Sequence, residues 1–357
     1  MTGGIGLDGM TRVSFLIPGN LSLPTGGYAY DRRVLALLDA EGVEVTHVAL
    51  PASYPSPTEA DLAETAWIVD ALPKDAVLLI DGLAFGAMPA DLIRRFDRAI
   101  VALCHHPLTL ESGLSQERQA ELKTSETAAL AMAREVIVTS PATGAIVARN
   151  FGVPAERITV ALPGTDPAPR SRGTGKPLRL LAVGAIVPRK GYDVLIQALR
   201  QIKDRDWHLD IAGADDRAPE TAAALRQLIA SSDLADRVTL NGAVSNERLS
   251  ALYSGADVFV MSSRFEGYGM VLAEAMAHGL PIVSTTGGAA ADTVPDAAAL
   301  KVSPGDATAM ADALLRMIDE GGLRAEKADA SWQAGRALPR WEDTTRIIAG
   351  VVRRVAA

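Results

Sequence analysis

Residues 257–285 read "DVFVMSSRFEGYGMVLAEAMAHGLPIVST". An apolar, strand-like run comes first, then a loop broken by glycines, then a helix-forming run, then a second short apolar run. Strand, helix and strand in that order imply a parallel pair joined by a right-handed crossover. The spacing predicts a helix from near Gly269 to His278, with Gly279 just past its end. No Ser, Thr, Asp or Asn stands where a cap would; Gly267, Tyr268 and Gly269 occupy that place. Amide groups left bare at a helix start make an anion site. Glu266 lies just before that start, and Glu274 lies about 7 Å along the helix axis at 1.5 Å per residue. The interval suits a molecule made of sugar, diphosphate and nucleoside in a row. Two glutamates eight positions apart also suit an ordinary solvated helix face.

The same alternation extends outward in both directions. The second half runs "LRLLAVGA", "YDVLIQALRQI", "HLDIAG", "APETAAALRQLIASS", "VTLNG", "NERLSALYSG", then the opening stretch, then "ALKVS" and "DATAMADALLRMIDEG". The first half starts at "RVSFLIPG" and continues through "VEVTHVAL", "AVLLIDGLAF", "AIVALCHHP" and "EVIVTS", with helical patterns between the strand runs. Between the halves, "DPAPRSRGTGKP" holds prolines and glycines without apolar periodicity and reads as a linker. The expected fold class is therefore α/β, with two Rossmann-like parallel-sheet domains: 1–165, a linker at 166–177, and 178–335, followed by an amphipathic helical tail at 336–357. Open parallel sheets bind ligands beyond the carboxyl ends of their strands. Those ends here are rich in Gly, His, Asp, Arg and Lys, as expected for a polar cleft built from loops.

Composition removes several alternatives. A chain of 357 residues exceeds a single ordinary core. A formal net charge of −8 gives nucleic acid no broad attraction. The first 165 residues carry 12 Lys+Arg against 19 Asp+Glu, a balance of −7, so membrane contact is expected to be at most peripheral. The lone cysteine, Cys104, forms no internal disulfide and no cysteine-based zinc cluster. No apolar run approaches the roughly 20 residues of a membrane span, and the N-terminus shows no signal segment. A cytoplasmic protein is expected.

Three further clusters carry chemistry. In "VGAIVPRKG" a strand ends at Gly184, and Arg189 and Lys190 stand just before a helix, as a fork and a mobile point charge suited to a diphosphate. In "LPTGGYAY", Gly26 and Gly27 open a helix in the first half and allow close backbone approach; the pattern is neither a dinucleotide fingerprint nor a P-loop. In "ALCHHP", His105 and His106 end an apolar strand. Neighbouring strand positions point to opposite faces, so the two are not expected to share a metal, and no metal ligand set is predicted. "KDRDW" (203–207) lies at the wrong sheet edge for a metal–diphosphate motif and reads as a turn. "AGADD" (212–216) lies at the correct edge but equally suits a helix cap.

Taken together and in this order, these pieces resemble the family 4 retaining glycosyltransferases of GT-B fold, over nearly the whole chain and most specifically in the second half. The resemblance implies that Glu266 and Glu274 form an E-x7-E pair, the first near the donor sugar and the second on the ribose. It makes Arg189 and Lys190 the diphosphate-stabilising pair. Gly267, Tyr268, Gly269, Met270 and Val271 would offer backbone contacts to sugar and phosphate. Gly26 and Gly27 would approach the phosphate from the other domain, Gly184 would close the strand end, and Gly242 and Val244 would lie near the base. His105 and His106 would stand on the catalytic side. The tail "RWEDTTRIIAGVVRRV" is similar to a terminal helix that crosses back onto the first domain. The loop departs from the family in Ala185 and Ile186, where an arginine and a polar residue are frequent. "HHPLTLESG" replaces a His-Asp pair and points to a distinct acceptor subgroup.

The implied reaction moves a hexose from a UDP- or GDP-sugar to a hydroxyl of a glycan, glycolipid or small-molecule acceptor. Side-chain cations stand in for a metal, and no cofactor is implied. A nucleotide-sugar 2-epimerase and a non-catalytic nucleotide-sugar-binding protein remain as alternatives.

Overall fold

Among the described residues, twelve parallel strands form two separate sheets. The computed structural model describes residues 10–111 and 113–357. Residues 1–9, part of the stretch expected to lack a signal segment, and Ser112 of the "HHPLTLESG" run lie outside the described residues. The chain divides into two compact units, one formed by Met1–Gly164 with Pro339–Ala357, the other by Thr165–Leu338.

The first unit contains β1 (Thr11–Pro18), β2 (Val43–Leu50), β3 (Val77–Asp81), β4 (Ile100–Cys104), β5 (Glu135–Val138) and β6 (Ile158–Val160), in the order β2-β1-β3-β4-β5-β6. The central strands are buried from end to end, as Val, Ile and Leu runs covered on both faces must be. Within "AVLLIDGLAF" the strand ends at Asp81. The Asp81 side chain accepts the Leu83 amide at 2.8 Å and starts a short helix, Gly82–Phe85.

The helix Trp341–Ala356 packs into this first unit. It buries Trp341, Ile348, Val351, Val352 and Val355 on one stripe and lies against β1, β3, β4 and the helix Gly26–Leu38. Thr344 donates to the Leu162 carbonyl at 2.6 Å, and the Trp341 ring meets Tyr30 edge-on at 5.6 Å.

The second unit contains β7 (Leu178–Val183), β8 (Trp207–Ala212), β9 (Val238–Leu240), β10 (Val258–Met261), β11 (Ile282–Thr285) and β12 (Ala299–Val302), in the order β12-β11-β10-β7-β8-β9. After β7 the chain winds one way through β8 and β9, then returns to place β10 on the other side of β7. The order reverses between β7 and β10. In open α/β sheets the crevice at such a reversal, beyond the carboxyl ends of the strands, is where ligands sit. The core of this unit is built from Leu180, Ile196, Leu199, Trp207, Leu209, Val260 and Leu314, all 1% exposed or less.

The predicted helix of the opening stretch runs Met270–Ala277, with His278 at its C-cap and Gly279 left-handed at φ +65°. "KDRDW" is a turn leading into β8. Among the described residues, no helix is long and apolar enough to cross a membrane.

Candidate functional site

The reversal point of the second unit gathers the predicted charges. Past β7, Pro188–Lys190 forms a single tight turn, and left-handed Gly191 (φ +62°) passes the chain into the helix Tyr192–Gln201. Past β10, residues 262–269 loop across to the helix Met270–Ala277. The two loops are tied together by backbone and side-chain bonds. The Arg264 amide donates to the Arg189 carbonyl at 2.7 Å, and the Ser262 hydroxyl donates to the Lys190 carbonyl at 2.9 Å.

Glu266 sits at the centre of this arrangement and is buried. Its Oε1 accepts from Lys190 Nζ at 2.7 Å and from the Ser263 hydroxyl at 2.6 Å, while its Oε2 lies 3.2 Å from an Arg189 guanidinium nitrogen. Arg189 also donates to the Phe265 carbonyl at 2.8 Å. Burial alone would raise the Glu266 carboxyl. Lys190 and Arg189 outweigh it and hold the group down at about 2. The two cations are therefore neither solvent-facing nor bare: their side chains are 12% and 19% exposed and share one carboxylate.

Gly184 lies beside the Lys190 stem, where an added Cβ would stand 2.7 Å from Cε. Glu266 is further held by its backbone, whose amide donates to Gly287 and whose carbonyl accepts from Ala289.

Gly269 is left-handed (φ +90°, ψ +60°) and occupies the N-cap of the helix Met270–Ala277, where no side chain caps the start. Tyr268 is buried, which pushes its phenol up to about 12, and its carbonyl accepts from Thr293 at 2.6 Å. Gly267, Met270 and Val271 are half-buried beside it. Further along the helix, Glu274 Oε2 accepts from the Tyr253 hydroxyl at 2.8 Å. Tyr253 in turn stacks on His278 with centroids 5.0 Å apart. Burial raises the Glu274 carboxyl despite that hydrogen bond. Gly242 (φ +65°) and Val244 follow β9, two strands from β7 in the sheet order.

The remaining predicted residues belong to the first unit. Gly26 and Gly27 open the helix Gly26–Leu38, but its start is not bare: the Thr25 hydroxyl accepts the Tyr28 amide at 3.0 Å. Gly27 lies against His105, where an added Cβ would stand 3.2 Å from Cδ2. His105 and His106 do diverge, as adjacent residues at a strand end should. His106 Nε2 meets Glu111 Oε1 at 2.6 Å. His105 Nε2 faces inward to Asp31 at 3.1 Å and Asp81 at 3.4 Å. Burial would lower His105, but the two carboxylates hold its imidazolium up at about 10.

Reasoning from sequence missed Ser263 and Tyr253, which buttress the two glutamates, and Asp31 and Asp81 behind His105. Ser263 is three residues before Glu266 in a tight loop and was within reach of a local search. The others come from distant elements and leave no spacing signal.

A family described as "Glycosyl transferases group 1" matches residues 177–320, and one described as "Glycosyl transferase 4-like domain" matches residues 12–164. The chain is 33% identical to a mannosylfructose-phosphate synthase of Agrobacterium fabrum, over 43% of this chain and 38% of that protein. It is 30% identical to a D-inositol 3-phosphate glycosyltransferase of Xylanimonas cellulosilytica, over 55% of this chain and 51% of that one. The chain thus spans about half or less of the length of these relatives. Among solved structures, a sucrose-phosphate synthase from Thermosynechococcus elongatus superimposes with a TM-score of 0.82 at 23% identity, covering 96% of this chain and 98% of that one. With two six-stranded parallel sheets and matches to both family descriptions, the chain belongs to the group 1, family 4-like glycosyltransferases and has their GT-B fold.

Proposed function

We propose that this chain is a retaining glycosyltransferase that moves a hexose from a UDP- or GDP-sugar to a hydroxyl acceptor in cell-envelope glycan or glycolipid synthesis. The observation that carries the proposal is the Arg189–Lys190–Glu266 cluster at the strand-order reversal, beside a helix start that no side chain caps. Relatives named as GDP-mannose-dependent mannosyltransferases, and a structural neighbour solved in complex with UDP-glucose, support this donor class.

Glu266 pairs with both cations but carries only one negative charge, so the cluster keeps a net positive charge. An arriving diphosphate carries more charge than one carboxylate and recruits Arg189 and Lys190 to its oxygens. The uncapped amides at Met270 add fixed positive potential. Glu266, relieved of the cations, faces the donor sugar as an acceptor of its hydroxyl hydrogens. Glu274 receives the ribose, and Gly242 and Val244 flank the base. As the bond from anomeric carbon to phosphate oxygen breaks, the growing negative charge on the diphosphate is stabilised by groups already in place. The acceptor hydroxyl attacks from the face the diphosphate leaves, and a phosphate oxygen takes its proton.

The side-chain cations do the work a divalent metal does on a diphosphate elsewhere, so donor binding needs no metal. We place the protein in the cytoplasm, with at most peripheral membrane contact.

The test is incubation with radiolabelled UDP- and GDP-sugars, with and without candidate acceptors. Release of nucleoside diphosphate with transfer or slow hydrolysis of the sugar supports the proposal. Sugar interconversion without nucleotide release makes the chain an epimerase; binding without turnover makes it a carrier. Calorimetric titration with UDP and GDP should give the same dissociation constant in EDTA as in Mg²⁺. A strict Mg²⁺ requirement would remove the side-chain cations from that role.

A further inference from the structure

Glu274 does not hold its carboxylate alone. Tyr253 lies near the end of the helix Asn246–Gly255, 21 positions earlier in the chain, and is 2% exposed. Its hydroxyl stands 2.8 Å from Glu274 Oε2 and 3.4 Å from the Val271 carbonyl. A phenol carries one hydrogen, and the nearer, charged partner takes it. Burial and the Glu274 charge push the phenol well up, so it remains a donor at neutral pH. The bond occupies Oε2 and leaves Oε1 to a ligand.

The ring is fixed as firmly as the hydroxyl. It stacks on His278 at 5.0 Å and 6°, and on Phe259 at 5.9 Å and 22°. Burial lowers the His278 imidazole, so the ring is neutral at pH 7, and its Nδ1 donates to the Pro169 carbonyl at 3.0 Å. The Ser171 amide donates to the His278 carbonyl at 2.8 Å. The Ser171 hydroxyl lies 2.8 Å from the Ser254 and Ala256 carbonyls, just past Tyr253. Part of the stretch expected to be a linker is thus a splint that keeps Tyr253 and His278 at one spacing. Phenylalanine would fill the same space, so what the tyrosine adds is the bond to Glu274.

We propose that Tyr253 is a positioning residue that sets ribose specificity: it holds the Glu274 carboxylate by one oxygen so that the other meets a ribose hydroxyl. The inference rests on the function proposed above, in which Glu274 receives the ribose. An untethered glutamate side chain samples several rotamers and loses that freedom on binding. Held by Oε2, it has lost the freedom already. A fixed acceptor also discriminates sharply, because a nucleotide lacking the hydroxyl leaves Oε1 desolvated and unpaired. Burial raises the Glu274 carboxyl, and the Tyr253 bond opposes it; of the charges that face it, Asp166 raises it and Lys190 lowers it. Tyr253 therefore favours the ionised carboxylate, which accepts most strongly from a hydroxyl.

The experiment titrates the full chain with UDP and GDP by calorimetry, then compares the tighter nucleotide with its 2′-deoxy and 3′-deoxy forms. The parent should prefer the ribonucleotide by at least about tenfold over one of the two. Tyr253→Phe keeps the stack. It should bind the ribonucleotide about tenfold more weakly, bind that deoxy form as the parent does, and so lose the preference. Its affinity for the ribonucleotide should also begin to fall at a higher pH on acidification, since the bond that lowers the Glu274 carboxyl is gone. A support with no part in recognition would weaken all three forms alike; that result, or a preference equal to the parent's, overturns the proposal. His278→Leu unstacks the ring but leaves the hydroxyl. It should show the same pattern at smaller size, and it decides the matter should Tyr253→Phe not fold. Glu274→Gln separates the inference from the function beneath it. Loss of the preference in Glu274→Gln but not in Tyr253→Phe removes the inference alone. A preference that survives Glu274→Gln, or is absent from the parent, removes the ribose role of Glu274 and the inference with it.

Discussion

Glu266 is the residue on which the second unit's chemistry turns, because it holds two cations that a diphosphate would claim. Lys190→Ala should lower sugar transfer by about 100-fold, the scale of losing one charge contact made in the transition state; near-normal turnover would take Lys190 out of the reaction. Glu266 also gives a stability signature. Its folded value of about 2 lies below the ordinary 4.5. It therefore contributes stability that is fully present above 4.5 and is lost as pH falls toward 2. Glu266→Gln should melt lower than the parent at pH 7, with the gap closing between about pH 5 and pH 2. A gap that stays constant with pH would mean that the ion pairs do not hold this loop. At this scale the sequence showed both glutamates, the Arg-Lys pair and the glycines, because each sits in a short motif at a strand end. It hid the mutual pairing: Lys190 and Glu266 are 76 positions apart, and nothing local in either segment specifies their contact.

The element that carries Glu274 depends on a neighbour as much as on its own eight residues. The helix Met270–Ala277 is too short to be stable by itself, and it packs against the helix Gly321–Arg336. The approach is so close that a Cβ on Gly335 would stand 2.1 Å from the Met276 carbonyl oxygen. Gly335→Ala should therefore force the two helices apart, lower stability by on the order of 1–3 kcal/mol and the melting temperature with it, and weaken nucleotide binding through Glu274. Unchanged melting would show that the helix Gly321–Arg336 is not a support.

The strands and most helices were legible because apolar runs, glycine stops and proline starts recur with the right period. Two element-level features were not. The helix Gly82–Phe85 begins on an aspartate that reads equally well as a turn, and the cap that Thr25 places on the helix Gly26–Leu38 was overlooked beside two glycines. In both places a short polar side chain bonds a nearby amide, and the surrounding apolar pattern carries no trace of it.

At the scale of the whole molecule, the first unit is assembled from two distant stretches of chain. Gly164 makes this explicit: a Cβ there would lie 2.3 Å from the Trp341 amide nitrogen. The entire second unit is thus an insertion between Gly164 and Pro339. Residues 165–338 expressed alone should unfold cooperatively. Residues 1–164 alone should expose the surface that Trp341, Ile348 and Val352 cover, and a peptide of residues 339–357 added in trans should restore a sharp melting transition. A fragment of residues 1–164 that melts as sharply without the peptide would refute this.

That insertion has a consequence for biogenesis. On the ribosome, the earlier half of the protein emerges well before the segment that seals it. It must wait, with an apolar strip uncovered, through the translation of about 175 further residues at about 5–20 per second. Chaperone dependence should therefore fall on the half made first, and a premature stop between Leu338 and Trp341 should leave the second unit complete and able to fold while the first lacks the helix that seals it.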